Sequence, residues 1–270
     1  MKSNYYYLVS GLPDILPDDS RTKISFSALA DEVCELLDDQ DKVLVQELRS
    51  FYDRQNVITL LSGKSTAFDL RGNYSREDLE REIKSPETAP QFLVKYLESH
   101  SDNAQKTDWG TEAVRLAELF YSDVCAHANP FIVAWFTFDL DIRNIMAAFS
   151  ARKLALDGFS VTASVIGDNE VAERLRKSTA ADFSLGGQFP WIEKVNTLQS
   201  GSLLALEKML DEIRWNMLNE LTTFSYFEVE TILAFLLKAG MVERWQKLDE
   251  ESGNARFDAL LAELGSKLAL

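Results

Sequence analysis

Three stretches of this chain repeat one another, and that repetition limits its fold more than any other feature. Asp53-Arg-Gln-Asn-Val-Ile-Thr-Leu-Leu-Ser-Gly-Lys64 and Asp141-Ile-Arg-Asn-Ile-Met-Ala-Ala-Phe-Ser-Ala-Arg152 carry Asp, Asn, a β-branched residue, Ser and a basic residue in the same order at the same spacing. Glu228-Val-Glu-Thr-Ile-Leu233 repeats the front half, with Glu for Asp and Thr231 for Asn. Residues 53, 141 and 228 are 88 and 87 apart, close to a third of the 270-residue chain. A fixed internal period of this length implies one structural unit built several times over.

The repetition also accounts for Gly63-Lys64-Ser65, which resembles the end of a phosphate-binding loop. Such a loop reads GxxxxGK[ST] between a strand and a helix. Here Ile58 stands where its first glycine belongs, and the preceding residues have the pattern of a helix. Gly63 to Ser65 is therefore expected to be the tail of a repeated helix, with no bound nucleotide.

The repeated unit is expected to be helical. Six prolines and 12 glycines are too few for a turn-rich β protein, and Leu, Ala, Glu and Lys abound. Apolar periodicity predicts helices over 25–38, 41–61, 89–99, 111–128, 169–177, 202–221, 225–248 and 256–268. Ser75-Arg-Glu-Asp78 has the form of a capping box, and Asn129-Pro130 opens a long helix to about Leu156. Residues 158–169 are the best break, with a short strand possible, and Phe183–Trp191 is expected to be a loop. The opening YYYLVSGLPDI is read as a short helix ending near Gly11. The chain thus divides into units over 1–64, 65–156 and 157–248 and a helical tail over 249–270, within one all-α domain.

Each repeat places an acid where its helix is apolar. On a helical wheel Asp141 lies beside Phe138, Ile142, Ile145 and Phe149, while Asn144 begins a stripe of small side chains. Glu228 falls near Ile232 and Phe235, and Glu230 near Leu233 and Leu237. A buried carboxylate without a partner costs several kcal/mol, so each acid should bond a neighbouring element. Asp139 points to another face than Asp141, which is poor geometry for a catalytic pair. Its removal is expected to cost less stability than that of Asp141.

An acid, then Asn and an aliphatic pair on a buried helix in each of three helical units, resembles the C/d family of subunits in the V-type and A-type rotary ATPases (its eukaryotic members carry the letter d). The opening Asn4 to Asp14 is similar to the start of a bacterial family of unassigned function encoded beside V-type ATPase genes. The signature residues are Asp53 and Asn56, then Asp141, Asn144 and Arg152, then Glu228 and Glu230. Thr231 departs from the pattern, and the chain is shorter than is usual for the C/d family. The resemblance implies a pseudo-threefold funnel of helical bundles that couples the central stalk to the membrane rotor ring and performs no chemistry. Its partners would be the central-stalk subunits and that ring. Its place would be cytoplasmic, peripheral to the inner membrane through the ATPase complex.

The remaining features limit the alternatives. A net charge of −15 disfavours nucleic acid and anionic lipid and suits a basic partner. No stretch approaches the about 20 mostly apolar residues of a spanning helix, so direct membrane insertion is not expected. Cys34, Cys125, His100 and His127 lack metal-ligand spacing, and no cofactor is expected. Phe189 and Trp191, in a glycine-containing loop, are the aromatic pair most suited to meet a partner. Two other functions stay open: a free-standing helical adaptor, and a helical hydrolase with an acidic site in the funnel.

Overall fold

The computed structural model describes residues 4–17, 23–63, 67–99, 108–153, 160–198 and 202–247. Among them are twelve helices and no strand. The expected tail helix over 256–268, Lys64 and Ser65 of the Gly-Lys-Ser segment, and His100 lie outside the described residues.

Two compact units divide the chain, Met1–Asp38 with Ser225–Leu270, and Asp39–Phe224. The first contains α1 (Tyr6–Gly11), α2 (Phe26–Leu36) and α12 (Val229–Lys247). Here α12 packs on α2, and its residues Ile232 to Leu236 are all buried. Ser25 caps α2 by accepting from the N–H of Ala28, as Ser at this position predicts.

The second unit contains α3 (Asp39–Ser62), α4 (Arg76–Lys84), α5 (Gln91–Ser99), α6 (Trp109–Val124), α7 (Pro130–Lys153), α8 (Val161–Ser164), α9 (Glu170–Lys177), α10 (Ile192–Leu198) and α11 (Leu203–Leu221). Its axis is α7, which touches α3, α6, α8, α9 and α11. That explains why α7 is apolar on nearly every side: Phe131, Ile132, Trp135, Phe136, Ile142, Ile145 and Phe149 are all buried. A helix with no polar stripe is one that neighbours surround. Phe120 joins Phe51, Phe92 and Phe136 edge-on on one flank of α7, and Phe149 meets Phe183 on the other.

The helix starts follow from local chemistry. Ser75 accepts from the N–H of Asp78 at 3.1 Å and its hydroxyl donates to the Asp78 carboxylate at 2.6 Å, which begins α4. The Asn129 side chain accepts from the N–H groups of Phe131 and Ile132 ahead of α7. The short strand held possible over 158–169 is not found among the described residues there; Val161–Ser164 is a single helical turn. Val165 and Ile166 are buried, but the N–H and carbonyl of Ile166 are taken by the side-chain amide of Asn144, not by a neighbouring strand.

Candidate functional site

The repeated acids are where the structure is most informative. In the middle of α3, Asp53 is 1% exposed. Its carboxylate accepts from the backbone N–H of Asn73 at 2.9 and 3.0 Å, from the Asn73 side chain at 2.7 Å and from the N–H of Tyr74 at 3.3 Å. One helical turn further on, Asn56 accepts from the N–H of Asp69 and donates to the carbonyl of the same residue, both at 2.8 Å. Arg49, one turn before Asp53, donates to the carbonyls of Arg71 and Gly72. One face of α3 therefore grips the segment that leads into α4. A side-chain amide suits this task because it carries a donor and an acceptor side by side, as a peptide group does.

The same device recurs on α7. Asn144 accepts from the N–H of Ile166 at 3.0 Å and donates to its carbonyl at 2.8 Å. Asp141, three residues earlier, accepts at 2.8 Å from the side chain of Asn169, the residue that caps α9. In both copies the amide holds the earlier loop residue and the acid the later one, so the loop runs antiparallel to the helix that holds it. Arg152, at the end of α7, donates to the carbonyls of Ser178 and Ala180 just past α9, and its guanidinium lies 3.4 Å from the centre of the Phe183 ring. The loop into α9 and the chain leaving it are thus both tied to α7.

The third repeat places its first acid, Glu228, differently. That residue is half-buried and precedes the first residue of α12, whereas Asp53 and Asp141 sit well inside their helices. Glu230, in the first turn of α12, is buried, and Thr231 donates its hydroxyl to the carbonyl of Ser225. A matching geometry lies further along α12. Glu243 accepts from the N–H of Phe26 at 3.2 Å, and Gln246, three residues on, accepts from the N–H of Ile24 at 3.0 Å. Again the amide takes the earlier residue and the acid the later, and again the segment held leads into a helix, α2. Glu243-Arg-Trp-Gln246 is the signal that would have revealed it, as an acid and an amide three apart.

A second polar cluster sits beside the clamps. Asp139 is as buried as Asp141, each at 7% exposure. It accepts from the Tyr121 hydroxyl at 2.6 Å and from Arg214 at 3.2 Å, while Arg214 also bonds Asp211. Burial, then the Asp139 charge, pushes the Tyr121 phenol well above its ordinary value. Asp139 does lie on another face of α7 than Asp141, and that face meets α11, where it holds the half-buried Arg214. Asp211 and Arg214 pair three residues apart on α11, but Tyr121 and Arg214 reach Asp139 from other helices, which no sequence pattern shows.

Burial also governs the clamp acids. It raises the Asp53 carboxyl, against the opposing effect of the Asn73 and Tyr74 bonds. Burial raises Asp141 from 3.8 to about 6, with only the Asn169 bond opposing it. A cleft of ≈ 300 Å³ opens nearby, lined by Glu118, Cys125, Thr137, Gly167 and Asn169 among others. Burial raises the Cys125 thiol, and a thiol kept protonated is a weak nucleophile. Of the aromatic pair in the Phe183–Trp191 loop, Phe189 is 6% exposed and belongs to the unit's own core, with Trp191 half-buried against it. Among the described residues no group of His, Cys, Asp or Glu has the arrangement of a metal site, and no helix is long and apolar enough to cross a membrane.

Fold and site together define an all-α protein in which acid–amide pairs on long helices seat the chain entering the next helix. The chain belongs to DUF2764, a family of proteins of unknown function whose family model matches residues 1–267. Neither the curated proteins nor the solved structures include a match to it.

Proposed function

We propose that this chain is a non-catalytic subunit of a V-type rotary ATPase, coupling the central stalk to the membrane rotor ring. The observation that supports this reading best is the recurrence of one clamp on α3, α7 and α12. In each, the acid and the amide that carry the resemblance to the C/d family, or their counterparts Glu243 and Gln246, bind backbone or a capping side chain of the same chain. Acids engaged in this way stiffen a body that transmits force; they are not poised over an open site. A stiff helical body with a net charge of −15 suits a part that meets basic partners by shape and charge.

The test is binding of the purified chain to the central-stalk subunits of its own organism's ATPase, and to the detergent-solubilised ring. The expected result is association without nucleotide, weakening as salt rises. Absence of the chain from the isolated ATPase, with no binding to either partner at low salt, would leave the adaptor reading in its place.

A further inference from the structure

One end of the unit made of α1, α2 and α12 presents an aromatic face to solvent. Tyr5 gathers that end: its N–H donates to the carbonyl of Phe227 at 2.7 Å, and its hydroxyl accepts from the N–H of Asp38 at 3.2 Å. The start of α1, the chain entering α12 and the end of α2 therefore meet at one buried ring. In the segments that meet there, Tyr7 is 90% exposed, Tyr226 70%, Tyr6 58% and Leu36 54%. The Tyr6 ring leans on Phe227 with centroids 4.5 Å apart, so the face has a firm backing.

The charged side chains on the segments that carry this face have one sign. Asp14, Asp31, Glu32, Glu35 and Asp38 are exposed, and residues 4–17, 26–38 and 225–232 contain no Lys or Arg. Exposed tyrosines offer rigid contact area at little entropic cost, and clustered apolar surface of this kind marks a contact site. A carboxylate rim repels anionic lipid and nucleic acid and attracts Lys and Arg.

We propose that this face docks a basic, amphipathic segment of a central-stalk subunit, its apolar side chains covering Tyr6, Tyr7 and Tyr226 while its cations meet the carboxylates. The inference rests on the subunit reading above and adds to it which face makes contact and what sign of charge the partner brings.

The experiment measures the affinity of the chain for the purified stalk pair at low and high salt. It compares the natural chain with a Tyr7→Ser/Tyr226→Ser variant and a Glu32→Lys/Glu35→Lys variant. All four side chains are exposed, so thermal melts should superimpose; should the tyrosine variant fold poorly, the charge variant carries the test. The expected loss is about tenfold or more for the tyrosine pair at either salt. The charge variant should lose a similar amount at low salt and far less at high salt. If both variants bind as the natural chain does, the face is wrong and the subunit reading stands. If the natural chain binds neither the stalk pair nor the ring, the subunit reading falls and this inference with it.

Discussion

The clamps on α3 and α7 share a plan but differ in strength. Asp53 and Asp141 are both buried, and each precedes its amide by three residues. Yet Asp53 takes bonds from two backbone N–H groups and a side-chain amide, whereas Asp141 takes one, from Asn169. Backbone accounts for the inequality. At the first clamp Gly72 lets the chain pass so close that an added Cβ would lie 2.2 Å from the Asp53 carboxylate. Two successive N–H groups then reach the acid. At the second clamp only a side chain reaches across. Burial raises both carboxyls, so the number of donors decides which acid is comfortable as an anion.

The largest expected effect tests that inequality directly. Asp53→Asn should cost about 3–5 kcal/mol in denaturant melts at pH 7, since an NH₂ group would face donors already in place. Asp141→Asn should cost nothing at the same pH and instead raise stability, because its one bond can still be accepted by the amide oxygen and no buried charge remains. Equal costs would show that the donor count does not matter.

Dependence on pH should give an effect of about 3 kcal/mol, at roughly 1.36 kcal/mol per pH unit. The Asp141 carboxyl is raised in the folded state, to about 6 from 3.8. The native chain therefore binds this proton more tightly than the unfolded chain does. Its stabilising contribution is full below about pH 4 and is lost as pH rises through about 6. Melts of the natural chain and of Asp141→Asn at pH 4, 5, 6 and 7 should diverge in that direction. A constant difference between them would sink the assignment.

Three smaller effects sharpen the contrast. Gly72→Ala should cost about 2 kcal/mol by displacing the pinned Asp53 carboxylate. Gly167→Ala should cost about 1 kcal/mol, because the Cβ there has room at 3.5 Å from Leu140 and only the positive φ of 74° opposes it. Glu243→Gln on α12 should cost about 1 kcal/mol, because the amide oxygen can still accept from Phe26 while the ion pair with Lys247 is lost. A loss there as large as at Asp53 would put the third clamp in the class of the first.

These elements also show what a single sequence can reveal. Ser75, Asn129 and Asn169 act within three residues of themselves, so the helix starts they cap were legible. Asp53, Asn56, Asp141 and Asn144 could be found by repetition, but not what they hold, since their partners lie 13 to 28 residues further along the chain. The third clamp escaped because longer side chains replace the shorter ones and residues 141 and 243 are 102 apart, breaking the period. The partner of Asp139 was hidden for a similar reason: Arg214 is 75 residues away. Periodicity reports which face of a helix is apolar; it carries no record of what arrives from elsewhere to meet a charge.

The amides of Asn56 and Asn144 have a consequence for the chemical ageing of the protein. Each must offer a hydrogen to a carbonyl and a lone pair to an N–H of the same residue. Spontaneous hydrolysis to a carboxylate would set an acceptor against an acceptor and bury a new negative charge beside Asp53 or Asp141. Such damage would open the clamp from within while leaving the mass of the chain almost unchanged. Helical backbone and near-complete burial keep both amides from adopting the geometry that reaction needs. Their resistance should therefore last as long as the fold does, and an old preparation that loses either amide will already have lost its loop.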